Sequence, residues 1–134
     1  MDSATRDFVR RRADNRCEYC LLRQEFCDLT HHIEHIHAKQ HGGLDEIGNL
    51  AVACQRCNLR KGPNLTGVDQ VTGKLVPLFH PRRDRWEEHF LVRGLRIEGR
   101  TPVGRATVSL LAMNDIRRLE IRSELLPEHI LIEE

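Results

Sequence analysis

Aromatic residues are scarce: one Trp, one Tyr and four Phe make up 4% of the 134 residues. That scarcity excludes an interior built on stacked rings, so the core must rest on Leu, Ile and Val with a few rings such as Trp86 and Phe90. Long hydrophobic runs are missing as well. No apolar stretch approaches the roughly 20 residues that cross a bilayer, and Met1 to Arg12 is charged where a secretory leader would be apolar. A soluble, cytoplasmic protein with no membrane partner is expected. An excess of one charge sign is also lacking, since 21 Lys and Arg against 20 Asp and Glu leave a formal net charge of +1. The overall field therefore does little to attract nucleic acid. Neither low-complexity segments nor structural repeats occur.

What charge there is lies in clusters. Arg10, Arg11, Arg12 and Arg16 form one basic group and Arg82, Arg83 and Arg85 another, while Glu128, Glu133 and Glu134 make the C-terminal end acidic. One basic face on a near-neutral protein is consistent with this distribution, although a solvated helix surface explains any single run equally well. The length suits one compact domain with a single active site.

Ser3 to Ala13 reads as an N-terminal helix with Phe8 and Val9 as its apolar positions. Leu29 to Ile36 and Leu50 to Ala53 read as short strands, and Lys61-Gly62-Pro63-Asn64 as a helix stop and turn. The chain thus divides into residues 1–62, carrying the chemistry, and an extension over 63–134. In the extension, Leu75 to Phe79 is an apolar run and Pro81 to Phe90 a turn with a short helix. Leu91 to Ile97 reads as extended, with Gly94 weakening it. Thr101-Pro102 is a hydroxyl cap followed by proline at the first helical position. Asn114-Asp115 can cap a last helix whose Ile116, Leu119 and Ile121 are expected to pack inward.

Five cysteines occur, four of them in the pairs Cys17-Glu18-Tyr19-Cys20 and Cys54-Gln55-Arg56-Cys57. In a reducing compartment such pairs favour metal over disulfide, and a two-residue gap lets both sulfurs of a knuckle face one ion. Four thiolates close a tetrahedral structural zinc site, with an iron–sulfur cluster as the alternative occupant. A redox Cys-x-x-Cys is disfavoured because no thioredoxin-like strand-to-helix pattern surrounds either pair. Cys27 remains as a buried or incidental thiol.

Between the knuckles stands Thr30-His31-His32-Ile33-Glu34-His35-Ile36-His37-Ala38-Lys39-Gln40-His41-Gly42-Gly43, then Gly48-Asn49-Leu50. So many imidazoles in one short stretch are poor core filler. Along a strand, His31, Ile33, His35 and His37 would share one face and His32, Glu34 and Ile36 the other, so a bulge or turn is needed for Glu34 and His35 to serve one centre.

The order acid-His-Ile, Gly-Gly, Asn-Leu, Cys-x-x-Cys-Asn and Lys-Gly over Cys17 to Gly62 resembles the HNH endonuclease family. Residues 77–86 and 104–108 are similar, more weakly, to the extension of small stand-alone bacterial members. The resemblance implies an α+β fold, a ββα-metal (His-Me finger) core with a four-cysteine zinc site, an N-terminal helix and a C-terminal helical extension packed on the core. It implies a metal-dependent endonuclease that hydrolyses DNA phosphodiester bonds. The family's general base stands seven residues before the first Gly of the pair, which selects His35. The competing register would place His32 ten residues before Gly42, with no carboxylate directly ahead of it. Glu34 and Asn58 would hold a catalytic Mg²⁺ or Mn²⁺, hard cations that prefer oxygen, and Asn49 would orient the base. Glu34 replaces the commoner Asp and Asn58 the commoner His. Lys61 and His32 are candidate substrate contacts, while His31, His37 and His41 have no assigned role. The chief competing reading is a non-catalytic zinc-knuckle module that binds nucleic acid through its histidines and arginines. A structural zinc protein that docks a partner is a third, which leaves the ordered motif unexplained.

Overall fold

The structure is a computed structural model that describes residues 1–125. Its N-terminal helix α1 spans Ser3–Arg12, with the Asp2 carboxylate accepting from the Thr5 N–H at 2.8 Å. Arg10, Arg11 and Arg12 in its last turn oppose the negative end of the helix dipole. Strands β1 (His32–His35) and β2 (Leu50–Ala53) form an antiparallel pair, with His35 opposite Leu50, Glu34 opposite Ala51 and Ile33 opposite Val52. Every residue of β2 is buried, as a short uninterrupted apolar run requires. Val9 of α1 packs against Leu50, Val52 and Ile33 on one face of the pair. Helix α2 (Gln55–Lys61) follows β2 directly and contacts both strands.

The remaining described chain comprises two more antiparallel pairs and three helices. Strands β3 (Thr66–Val68) and β4 (Leu75–Pro77) pair with each other, as do β5 (Phe90–Arg93) and β6 (Arg96–Gly99). Helices α3 (Trp86–His89), α4 (Pro102–Leu110) and α5 (Ile116–Leu125) complete the set. The result is a mixed α and β architecture of small sheets and helices. The main core joins Cys17, Tyr19, Ala53 and Cys57 to Phe79, Phe90, Ile97, Leu111 and Met113, so it is continuous across Gly62. The few rings are concentrated in it: Phe79 and Phe90 meet edge to face at 5.1 Å, and the Trp86 indole donates to the Tyr19 carbonyl at 2.8 Å. Among the described residues no helix is long and apolar enough to cross a membrane.

Several expectations shift. The first strand is shorter than Leu29 to Ile36, because the His31 N–H is taken by the Gln24 side chain at 2.5 Å rather than by a strand partner. Leu91 to Ile97 is a hairpin, with Gly94 at φ 62° in the turn between β5 and β6. Strand β3, which offers no apolar alternation, has no counterpart in the sequence reading. Thr101 caps α4 as expected, its hydroxyl accepting from the Gly104 N–H at 3.0 Å.

The largest correction concerns α5. Ile116, expected to pack inward, is 75% exposed, and the buried positions are Arg118 and Arg122. The helix turns its cationic side towards the four-cysteine cluster. Pro127 and the acidic residues Glu128, Glu133 and Glu134 lie outside the described residues.

Candidate active site and metal centre

The two knuckles converge. Sulfurs of Cys17, Cys20, Cys54 and Cys57 all lie within 4.8 Å of one another, and all four residues are buried. Cys20 and Cys54 Sγ are 3.7 Å apart, close to the ~3.8 Å edge of a tetrahedron with metal–sulfur bonds of about 2.3 Å. Each knuckle turns its backbone onto its own leading sulfur: Cys20 N–H points at Cys17 Sγ (3.4 Å) and Cys57 N–H at Cys54 Sγ (3.5 Å). The donor set fits a thiophilic tetrahedral ion such as zinc.

Four thiolates around a divalent ion would leave negative charge in the core, and Arg118 is placed to meet it. Its guanidinium donates to Cys57 Sγ at 3.0 Å and to the Leu111 carbonyl at 2.9 Å. Burial opposes the Arg118 charge, but the thiolates of Cys20, Cys57 and Cys54 outweigh it and raise its pKa. Arg122, next along the same side, donates to the Leu95 carbonyl at 3.0 Å. Sequence reading missed both arginines; their signal was the (i, i+4) spacing that puts them on one helix side.

His35 ends β1 and shares the Ile33 face, whereas Glu34 faces the opposite way, towards α2. Its imidazole is one-fifth exposed, with Nε2 2.5 Å from Asp45 Oδ1. Glu34 is buried; Oε1 lies 3.4 Å from the Lys61 ammonium and Oε2 accepts from the Tyr19 hydroxyl. Burial raises the Glu34 pKa despite the opposing effects of Lys61 and Tyr19. A carboxylate has about four lone-pair sites, of which these partners take two.

The loop joining β1 to β2 is organised by Asn49. Its carboxamide donates to the His37 carbonyl (3.0 Å) and the Leu44 carbonyl (2.9 Å), and accepts from the His37 N–H (2.8 Å). None of these bonds reaches His35. The Gly-Gly pair has two separate reasons. Gly42 adopts φ +90°, a left-handed conformation that favours glycine. Gly43 lies against the His37 backbone, where a Cβ would sit 1.8 Å from the carbonyl oxygen. Asp45 is the functional candidate that sequence reading passed over. Its only signal was an acidic side chain in the segment between the Gly-Gly pair and Asn49.

The other candidates fall in different places. Asn58 is half-buried on α2. Lys61 is 2% exposed and donates to the Ile36 carbonyl at 2.9 Å, so its charge is directed inward. His32 is exposed at the far end of β1, about 10 Å of strand from His35. His31 is buried, with a ring nitrogen 2.9 Å from the Leu22 carbonyl, and the His37 ring lies 2.7 Å from the His41 carbonyl.

Part of the arginine clusters is committed to the fold. Arg10 donates to His31 O (3.0 Å), Arg12 to Leu50 O (2.8 Å), and Arg82 pairs with Glu18. Arg11, Arg83 and Arg85 remain exposed. A cleft of about 590 Å³ opens beside the loop, lined by Ile36, His37, Asn49, Lys61, His80 and Arg83 among others; His35, Glu34 and Asn58 are not in its walls.

Comparison with known proteins bears on the same segment. Residues 17–64 match the family model for HNH endonuclease. The chain is also similar to the Septu protein PtuB of Bacillus thuringiensis, 27% identical over 114 residues that cover 80% of this chain and 40% of that protein. The chain therefore spans about two fifths of the length of that curated relative. No solved structure matches it.

Proposed function

We propose, on the premise that residues 17–64 belong to the HNH endonuclease family, that this chain is a metal-dependent endonuclease acting on DNA phosphodiester bonds. The observation that carries the reading is the imidazole of His35, held half-buried at the C-terminal end of β1 directly after a buried carboxylate. A general base must be within hydrogen-bond reach of the water it deprotonates, and a ring one-fifth exposed can meet both water and phosphate.

In this reading β1, β2 and α2 are a ββα-metal core, and the cysteine cluster holds a structural zinc that ties its ends together. Glu34 and Asn58 hold Mg²⁺ or Mn²⁺; when bound, the cation neutralises charge on the phosphate and the leaving oxygen. Tyr19 and Lys61 fix the Glu34 carboxylate, as hydrogen-bonded carboxylate ligands commonly are fixed. His35 takes the proton of the attacking water. Asn49 holds the loop beside it. Exposed arginines such as Arg11 and Arg83 supply phosphate contacts, which makes binding salt-dependent.

A non-catalytic nucleic-acid binder is favoured by one observation, the inward engagement of Glu34 by Lys61 and Tyr19. Incubation of zinc-loaded protein with supercoiled plasmid and Mg²⁺ or Mn²⁺ separates the two. The nuclease nicks or linearises the plasmid, and His35→Ala loses about 10²–10⁴-fold in rate with an unchanged melting temperature. Binding without cleavage under any cation selects the alternative.

A further inference from the structure

The asparagine expected to orient the base does not touch it. Asn49 spends its carboxamide on His37 and Leu44, and the side chain that meets the His35 ring is Asp45, with Oδ1 2.5 Å from Nε2. We propose that Asp45 is a positioning residue for the nuclease: it fixes the plane and tautomer of the His35 ring so that Nδ1 carries the lone pair that accepts the water proton. The inference rests on the nuclease reading above and adds a residue to it.

The chemistry follows from donor and acceptor types. An ionised carboxylate only accepts hydrogen bonds, so the ring nitrogen facing it must carry the proton. In the neutral imidazole the second nitrogen then bears the lone pair. Among the described residues, Asp45 makes the one hydrogen bond to this ring, through Nε2, leaving Nδ1 without a protein partner. The bond to His35 holds the Asp45 carboxyl below its ordinary range, which keeps it an acceptor.

The Asp45 side chain is 46% exposed, so what singles the contact out is the loop that delivers it. It spans ten residues of chain, and both sides of the loop are fastened. Asn49 grips His37, two residues after His35, and Leu44, the residue before Asp45. Gly43 N–H donates to Ala38 O at 3.0 Å, closing the loop between those grips. The Asn49 clamp thus acts on the base indirectly, by delivering Asp45. Lys39 also approaches Asp45 Oδ1 at 3.5 Å, but its side chain is 65% exposed. A screened surface pair of that kind contributes little, so Lys39 competes weakly with His35.

The test uses the 134-residue chain loaded with zinc. Nuclear magnetic resonance of the imidazole protons should show a His35 Nε2–H signal protected from solvent exchange, retained in Asp45→Asn and lost in Asp45→Ala. In plasmid cleavage, Asp45→Ala should lower kcat about 10- to 100-fold, less than removal of the base itself, with KM for DNA unchanged. Asp45→Asn, which keeps an acceptor oxygen, should lose less. Melting temperature and zinc content verify that each variant folds. Persistence of the proton signal in Asp45→Ala, or a change in kcat below twofold, overturns the role of Asp45. If the wild type cuts and His35→Ala does not, while Asp45→Ala cuts normally, this inference alone fails. A wild type that fails to cut whichever cation is supplied sinks the nuclease reading and the catalytic role with it, even if the proton signal shows the contact to be real.

Discussion

The guanidinium of Arg118 lies 3.0 Å from the sulfur of Cys57, so the helix furthest along the described chain is fastened to the second knuckle by charge. Hydrogen bonds to charged groups contribute about 1.5–3 kcal/mol, and breaking a buried pair from one side costs about 3–5 kcal/mol. Arg118→Met keeps much of the volume and removes the charge. It should destabilise the zinc-loaded protein by about 2–4 kcal/mol and speed zinc loss to a chelator. An unchanged melting temperature together with an unchanged rate of zinc transfer would show that the arginine is a bystander.

Metal removal should unfold the core rather than merely empty a site. The four sulfurs are part of the main hydrophobic cluster, and structural zinc in small domains carries apparent binding energies of about 10–16 kcal/mol. In the native zinc-loaded chain, four of the five cysteines should resist a thiol reagent. Cys27 should react slowly, because burial pushes its thiol up to about 11. A strong chelator should release one zinc per chain, expose all five thiols and abolish cooperative melting. Retention of a sharp melting transition after complete zinc removal would contradict the structural role.

How much of this was legible beforehand depended on how local each feature is. Cys-x-x-Cys spacing, the Thr101-Pro102 cap and the apolar run Leu50 to Ala53 announce themselves within a few residues, because their physics acts over one turn or one strand. The opposed directions of Glu34 and His35 followed from strand alternation alone. The partners of those residues did not. Asp45 meets His35 only after the loop closes, Tyr19 reaches Glu34 from the first knuckle, and Lys61 arrives from α2. The inward face of α5 was misjudged for a related reason. Hydrophobic periodicity favoured Ile116, Leu119 and Ile121, of which the last two are half-buried; the surface α5 meets is a cluster of thiolates, so its buried positions are Arg118 and Arg122.

Acid sensitivity should have a component outside the four-cysteine cluster. Asp69, fully buried after β3, accepts from Arg105 through both oxygens, at 2.8 and 3.0 Å, and from the Thr72 hydroxyl at 2.7 Å. The Arg105 hydrogen bonds hold its carboxyl far below the usual range. A depressed folded pKa gives stability that is fully present above the unfolded value near about 3.9 and is lost as pH falls towards the folded one. The melting-temperature gap between wild type and Asp69→Asn should therefore be constant from pH 7 to about 5 and shrink below about pH 4. Zinc-loss effects are common to both proteins and cancel in the difference. A gap that does not vary with pH would rule out this linkage.

The Gly-Gly pair offers the sharpest test of how the loop serves His35, because its two members fail differently. Gly43→Ala places a Cβ 1.8 Å from the His37 carbonyl oxygen, and that oxygen is one of the two carbonyls that Asn49 holds. Backbone must shift, so the Asn49 clamp opens and Asp45 moves away from His35. Gly42→Ala meets no atom within 4 Å and suffers only the left-handed φ, a cost of about 1 kcal/mol. Both variants should keep the zinc centre, since none of the loop residues enters the main core. Gly43→Ala should lose plasmid cleavage about as far as Asp45→Ala, whereas Gly42→Ala should retain most of it. Equal losses in the two variants would mean that loop flexibility, and not the delivery of Asp45 to the imidazole, is what cleavage requires.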